Sequence, residues 1–158
     1  QFWANLTWIT NKRAKIILTT LTLVFSVYQT YTAFYPTESF YKSEFAENTK
    51  IEFPEDGEIL VKGSTYPDIH GDYSASTVFQ VDKQTITKII EDIDTNSNFK
   101  KDTMSFNFGA DIRDYSKKFD EKLFKLNYYW NLTDSKTYYF NIAFDTTNNL
   151  VAFDRVTW

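Results

Sequence analysis

Asp68, His70 and Asp72 have the strongest claim to chemistry in this chain of 158 residues: the single histidine has a carboxylate two positions away on either side. An imidazole nitrogen with two carboxylate oxygens suits a divalent cation, and a carboxylate beside an imidazole can orient it as a general base. The run Asp68-Ile69-His70-Gly71-Asp72-Tyr73 also reads as a loop, with Gly71 in an unusual backbone angle and the aspartates accepting backbone N–H bonds. The reading therefore assigns no metal ion and no catalytic residue, and keeps the trio as the candidate set.

Other chemistries lack their residues. Asp92-Ile93-Asp94-Thr95-Asn96 opens like an EF-hand calcium loop, but Ser97 stands where glycine is needed and Thr103 where a bidentate glutamate is needed. No Gly-x-Ser-x-Gly elbow occurs. The acidic pairs Glu55-Asp56, Glu91-Asp92 and Asp120-Glu121 are adjacent in sequence, so each diverges from one stretch of backbone and does not face across a cleft. With no cysteine, a disulfide framework, a zinc–thiolate site and a thiol nucleophile are excluded together. No cofactor is expected. An envelope hydrolase using His70 is the enzymatic alternative to a chain without catalysis.

The element that places everything else is Ile16 to Phe34, nineteen residues without a charge, preceded by Lys12, Arg13 and Lys15. That length matches a hydrocarbon core of ~30 Å, and the reading takes residues 16–35 as one transmembrane helix. A cleaved signal peptide is the competing interpretation. It fits less well, because Thr32-Ala33-Phe34-Tyr35 is not a small-x-small cleavage pattern and the apolar run is long for a signal peptide. Tyr28, Tyr31, Phe34 and Tyr35 form an aromatic belt at its far end. Residues 1–15 are expected on the cytoplasmic side, either as a short interfacial segment with Trp3 and Trp8 at headgroup depth or as a disordered lead-in.

Charge supplies the orientation. All 21 acidic residues lie at or after Glu38, where 14 basic residues leave a net charge of -7. Basic residues beside a span stay in the cytoplasm, so residues 36–158 are expected in the periplasm of a bacterium, anchored in the inner membrane. An acidic domain also repels nucleic acid, which is excluded as a partner.

At 100° per residue Thr19, Thr22, Ser26, Gln29, Thr30 and Ala33 share about a third of the helix circumference. Facing lipid, Gln29 gains nothing; against a second helix its amide can hydrogen bond while the small residues permit close approach. The alternative is that the hydroxyls satisfy their own backbone carbonyls and Gln29 reaches toward the outer interface.

Beyond the span, residues 36–49 are expected as a juxtamembrane stalk with a helical turn or two. Residues 50–158 are expected to form an α+β domain, one amphipathic helix on a mainly antiparallel sheet. The helix runs from about Lys83 to Asp94, capped by Asp82, with Ile86, Ile89, Ile90 and Ile93 at i, i+3, i+4 and i+7. Strands are predicted at 58–62, 76–81, 103–109, 122–132, 137–144 and 150–158, the last two joined as a hairpin through Asp145 to Asn149. Rings crowd three neighbouring strands, so both faces of the sheet should carry them. Tyr129, Tyr139 and Phe153 are the candidate protein-binding aromatics on the face away from the helix, the alternative being that the loop from Gly109 to Glu121 or the membrane surface covers that face.

Ile51-Glu52-Phe53-Pro54, a strand, the Asp-Ile-His-Gly-Asp-Tyr run, a strand and an isoleucine-rich helix together resemble a pattern in small, uncharacterised bacterial membrane-anchored or lipoprotein domains. The resemblance covers roughly residues 50–95. It implies a bacterial envelope location and no activity.

The sequence therefore leads to a non-enzymatic accessory subunit of an inner-membrane complex, with the lipid bilayer and other transmembrane subunits as partners. The alternative is a membrane-tethered immunity or inhibitor protein whose acidic domain neutralises a basic exported toxin.

Overall fold

A computed structural model describes residues 11–65, 72–102, 106, 119–130 and 138–157, and divides the chain into two compact units, residues 1–35 and 36–158. The first unit is helix α1, Lys12–Phe34, whose Asn11 side chain accepts a hydrogen bond from the Arg13 amide at 3.0 Å. At 1.5 Å per residue its 23 residues span about 35 Å, long and apolar enough to cross a membrane, and none of them is buried. The helix stops at Tyr35 (φ -128°, ψ 75°) because Pro36 disfavours the helical conformation in the residue before it.

The second unit is α+β. Helix α2 (Glu38–Thr49) leads to strands β1 (Glu58–Ser64) and β2 (Ser74–Gln80), then helix α3 (Lys83–Thr95) and β3 (Phe99–Asp102). A 3-10 turn at Glu121–Leu123 precedes β4 (Leu126–Trp130), β5 (Tyr138–Asp145) and β6 (Leu150–Thr157). The six strands form one sheet in the order β1-β2-β6-β5-β4-β3, antiparallel at every pairing.

Local sequence explains most of these elements. The turn before β1 closes with the Gly57 amide donating to the Pro54 carbonyl at 3.0 Å. Asp82 caps α3 by accepting from the Thr85 amide at 2.7 Å, and Asp56 accepts from the Asp82 amide at 2.7 Å, which ties that turn to the start of α3. Ile86, Ile89 and Ile93 are buried and Ile90 is half-buried, as their spacing requires. The β5–β6 hairpin turns through Asn149 at φ 56°, a left-handed angle that asparagine tolerates. The Asp145 carboxylate accepts from the Thr147 amide at 2.9 Å and the Asn148 side-chain amide at 2.6 Å, holding the turn closed.

Several expectations are corrected. Residues 36–49 do form a helix, but α2 is no stalk: Tyr41 and Phe45 are buried in the core. Phe45 packs edge-on to Phe53 and Phe79 at 5.7 and 5.4 Å between ring centres. The folded unit therefore starts at Pro36, and two helices cover the sheet where one was expected. Periodicity hid α2 because Glu44, Asn48 and Thr49 are buried beside its rings, so its inner face is part polar. The third strand lies at 99–102, before the expected 103–109, and of that span only Phe106 belongs to the described residues. The fourth begins at Leu126, because Asp120 caps a 3-10 turn where the strand was expected to start.

Phe153 is the clearest reversal. It pairs across the sheet with Ile142 and Thr77, shares the helix-facing side with Val151, and is fully buried against Phe45 and Phe140. Alternation along β6 sends every second residue to each face, and Phe153 is on the wrong parity for the outer one. Because α2 supplies that core, Phe45→Ala should lower unfolding free energy by about 3–5 kcal/mol, measured by urea denaturation followed by tryptophan fluorescence. An unchanged midpoint would return residues 36–49 to a stalk.

Candidate interaction site

On the helix-facing side the buried charges are structural. The Arg155 guanidinium pairs with the Glu44 carboxylate and with the Tyr73 hydroxyl, and lies 4.8 Å from the Tyr73 ring centre. The Tyr73 hydroxyl donates to Glu44 at 2.8 Å. This cluster fastens α2 to β6 and to the start of β2. Burial first, then the adjoining Glu44 carboxylate, pushes the Tyr73 phenol well above its ordinary pKa. Tyr128 is raised in the same direction by burial and by its 2.7 Å hydrogen bond to Asp94. Asp94, itself exposed near the end of α3, thus anchors a core tyrosine.

The opposite face of the sheet carries two neighbouring surfaces. One is polar: Ser76, Asn127, Asn141 and Asp154 are buried, with Tyr129 and Tyr139 half-buried among them. Ser76 donates to the Asp154 carboxylate. Burial, followed by the Asp102 and Asp154 carboxylates, raises the Tyr139 phenol, and a hydrogen bond from Asn141 partly offsets them. Tyr129 and Tyr139 do lie on the face away from the helices, as expected, but as members of a polar row. The signal for that row was present as alternation, since Asn127 and Tyr129 on β4 and Tyr139 and Asn141 on β5 share a parity.

The other surface is apolar and ends in a cleft. Val61, Val78, Phe106, Phe124, Ala143, Leu150 and Ala152 form a second buried cluster, with Phe119 against it. At its margin lies a cavity of about 340 Å³ lined by Leu60, Phe119, Leu123, Phe124 and Leu150, with Gln80, Asp120, Asp145 and Asn148 supplying the polar groups. Leu60 is the extra residue of a bulge: Ile59 pairs with Phe79 and Val61 with Val78, which leaves Leu60 without a partner in the register. Leu123 is held outward by the 3-10 turn that Asp120 caps at 3.0 Å. Each is 38 % exposed, and among the described residues of the folded unit they are the only exposed large hydrophobic side chains. Both line this cleft.

Among the described residues the charged side chains in the lining are Asp120 and Asp145, and those carboxylates serve the 3-10 turn and the hairpin turn. Sequence reasoning missed Leu60 and Leu123, and no sequence signal marked either one.

Of the first candidate trio, Asp68 and His70 lie outside the described residues, and Asp72 is half-buried. Among the described residues no three histidine, aspartate or glutamate side chains converge as a metal-ligand set. On α1 the hydroxyls of Thr22, Ser26 and Thr30 each donate at 2.9 Å to the carbonyl four residues earlier. Gln29 is exposed and its amide has no hydrogen-bond partner among the described residues.

The raised phenols set a pH dependence. A tyrosine whose folded pKa exceeds its unfolded value near 10 stabilises the fold below that pH, and the contribution is lost as pH rises toward the folded value. Stability should therefore fall above pH ~10, and Tyr73→Phe and Tyr128→Phe should each flatten the decline by at most one proton, read from urea midpoints across alkaline pH.

Compared with known proteins, the chain matches no family profile, no curated protein and no solved structure.

Proposed function

We propose that the chain is a membrane-anchored, non-enzymatic accessory subunit: α1 crosses a bacterial inner membrane with its N-terminus in the cytoplasm and packs against a helix of another subunit. The domain of residues 36–158 then docks on the periplasmic side of the same complex.

Gln29 is the observation that carries this reading. It lies about 21 Å along the helix from Lys15, toward the outer side of a hydrocarbon core of ~30 Å, and its amide has two donors and an acceptor to satisfy. Thr22, Ser26 and Thr30 bond their hydroxyls to their own helix, the local satisfaction that the competing reading expects, and they also present small surfaces that let a second helix approach Gln29 closely. Lys12, Arg13 and Lys15 ahead of the apolar run, with no acidic residue before Glu38, support the orientation.

Solubilising native membranes in mild detergent and isolating this chain should recover a stoichiometric membrane protein, and a photoreactive residue at position 29 should crosslink to a transmembrane segment of it. A monomer that crosslinks only to lipid overturns the reading. Gln29→Leu should weaken co-purification severalfold while leaving membrane insertion unchanged.

A further inference from the structure

The turn that leads into β1 contains a reactive pair of residues that the fold holds closed. We propose that Asp56-Gly57 is a spontaneous modification site, at which aspartate isomerises to isoaspartate, and that the attachment of Asp56 to the start of α3 controls the rate.

The sequence supplies the reactive pair. An aspartyl carboxyl can be attacked by the backbone nitrogen of the next residue, and glycine in that place favours the step because no Cβ hinders the approach. The four glycines follow Asp56, Lys62, His70 and Phe108, so the chain contains one Asp-Gly pair and no Asn-Gly pair. Packing keeps the glycine there. A Cβ on residue 57 would lie 2.5 Å from the Phe53 ring and 3.0 Å from the Pro54 carbonyl oxygen, and Phe53 is itself held by the rings of Phe45 and Phe79 at 5.7 and 4.7 Å. Asp56 is exposed to the water that the reaction uses.

The reaction balances with water alone. The Gly57 nitrogen loses its proton and bonds to the Asp56 Cγ while a carboxyl oxygen departs as water, closing a five-membered succinimide. Water then opens the ring at either carbonyl. One route restores aspartate; the other leaves the main chain running through the Asp56 side chain, one carbon longer, with the free carboxylate on Cα.

In the folded protein both reacting groups are engaged. The Asp56 carboxylate accepts from the Asp82 amide at 2.7 Å and from the Thr85 hydroxyl at 3.3 Å, while the Gly57 amide donates to the Pro54 carbonyl at 3.0 Å. Ring closure must break these bonds, so it proceeds from the small population in which the turn has opened away from α3. Isomerisation then makes that opening permanent, because the longer main chain moves the carboxylate away from the Asp82 amide.

The test incubates the full chain in detergent micelles at neutral pH, with and without urea. Isoaspartate is located by an endoproteinase that cuts before aspartate but not before isoaspartate, followed by mass spectrometry of the fragments. It should accumulate at residue 56, at least about tenfold more slowly in the native protein than in urea. Asp82→Pro suits the φ of -74° at that position and removes the N–H that Asp56 accepts, whereas Asp82→Ala keeps that N–H; both lose the same capping carboxylate. The native rate should therefore be severalfold higher in Asp82→Pro than in Asp82→Ala, and Asp56→Glu should abolish the product. Equal rates with and without urea, isoaspartate elsewhere and none at residue 56, or equal rates in two folded Asp82 variants overturns the proposal. Should Asp82→Pro lose its native circular dichroism, the comparison with and without urea decides alone.

Discussion

Phe45 occupies the point where α2, β2 and β6 meet, with its ring edge-on to Phe79 and tilted against Phe153 at 6.2 Å. A six-stranded sheet with one strongly apolar face must have that face covered, and a single 13-residue helix is too small to cover it. Helix α3 reaches toward the β3–β4 side, where Tyr128 donates to Asp94. The β1–β2–β6 side depends on α2, and α2 depends on Phe45 and Tyr41 to hold it. The Arg155–Glu44–Tyr73 cluster sits beside this aromatic layer and fixes its alignment: Glu44 is one residue from Phe45 on the helix, and Arg155 is two from Phe153 on the strand. Removing one member of such a buried pair costs about 3–5 kcal/mol, because the remaining charge is left without compensation.

With one face closed in this way, the outer face of the sheet and the surface of α1 are the described surfaces left open. Neither carries an arrangement suited to bond making among the described residues. The outer face divides into a row of buried amides, hydroxyls and carboxylates and an apolar end opening into the Leu60–Leu123 cleft. On helix α1 the Thr22, Ser26 and Thr30 hydroxyls are bonded to their own backbone, and Gln29 is exposed beside them. The proposed accessory role uses both as contact surfaces.

Several features were legible from residues alone. The isoleucine spacing of α3, its Asp82 cap, the Asp145–Asn149 hairpin and the charge-free run of α1 are each written within a dozen or two consecutive positions. Helix α2 was half legible: Phe40, Tyr41 and Phe45 suggested helical turns, but buried Glu44, Asn48 and Thr49 disguised an inner face as a solvated one. Those polar groups are tolerated because they are bonded, Thr49 to the Phe45 carbonyl at 2.7 Å and Glu44 to Tyr73 and Arg155.

The sequence by itself determined the local periods: a span long enough to cross a bilayer, an amphipathic α3, alternating strands, and an acidic domain following a basic flank. Such patterns need only neighbouring residues, since helix and strand repeat every 3.6 and two positions. Tertiary structure decided which side of the sheet each ring faces, that α2 belongs to the core, and that Leu60 and Leu123 share a cleft. Those outcomes depend on register between distant strands: Phe153 turns inward because it pairs with Thr77 and Ile142, and Leu60 turns outward because Ile59 and Val61 take successive partners on β2. A shift of one residue would exchange the two faces, and nothing within either strand alone specifies that choice.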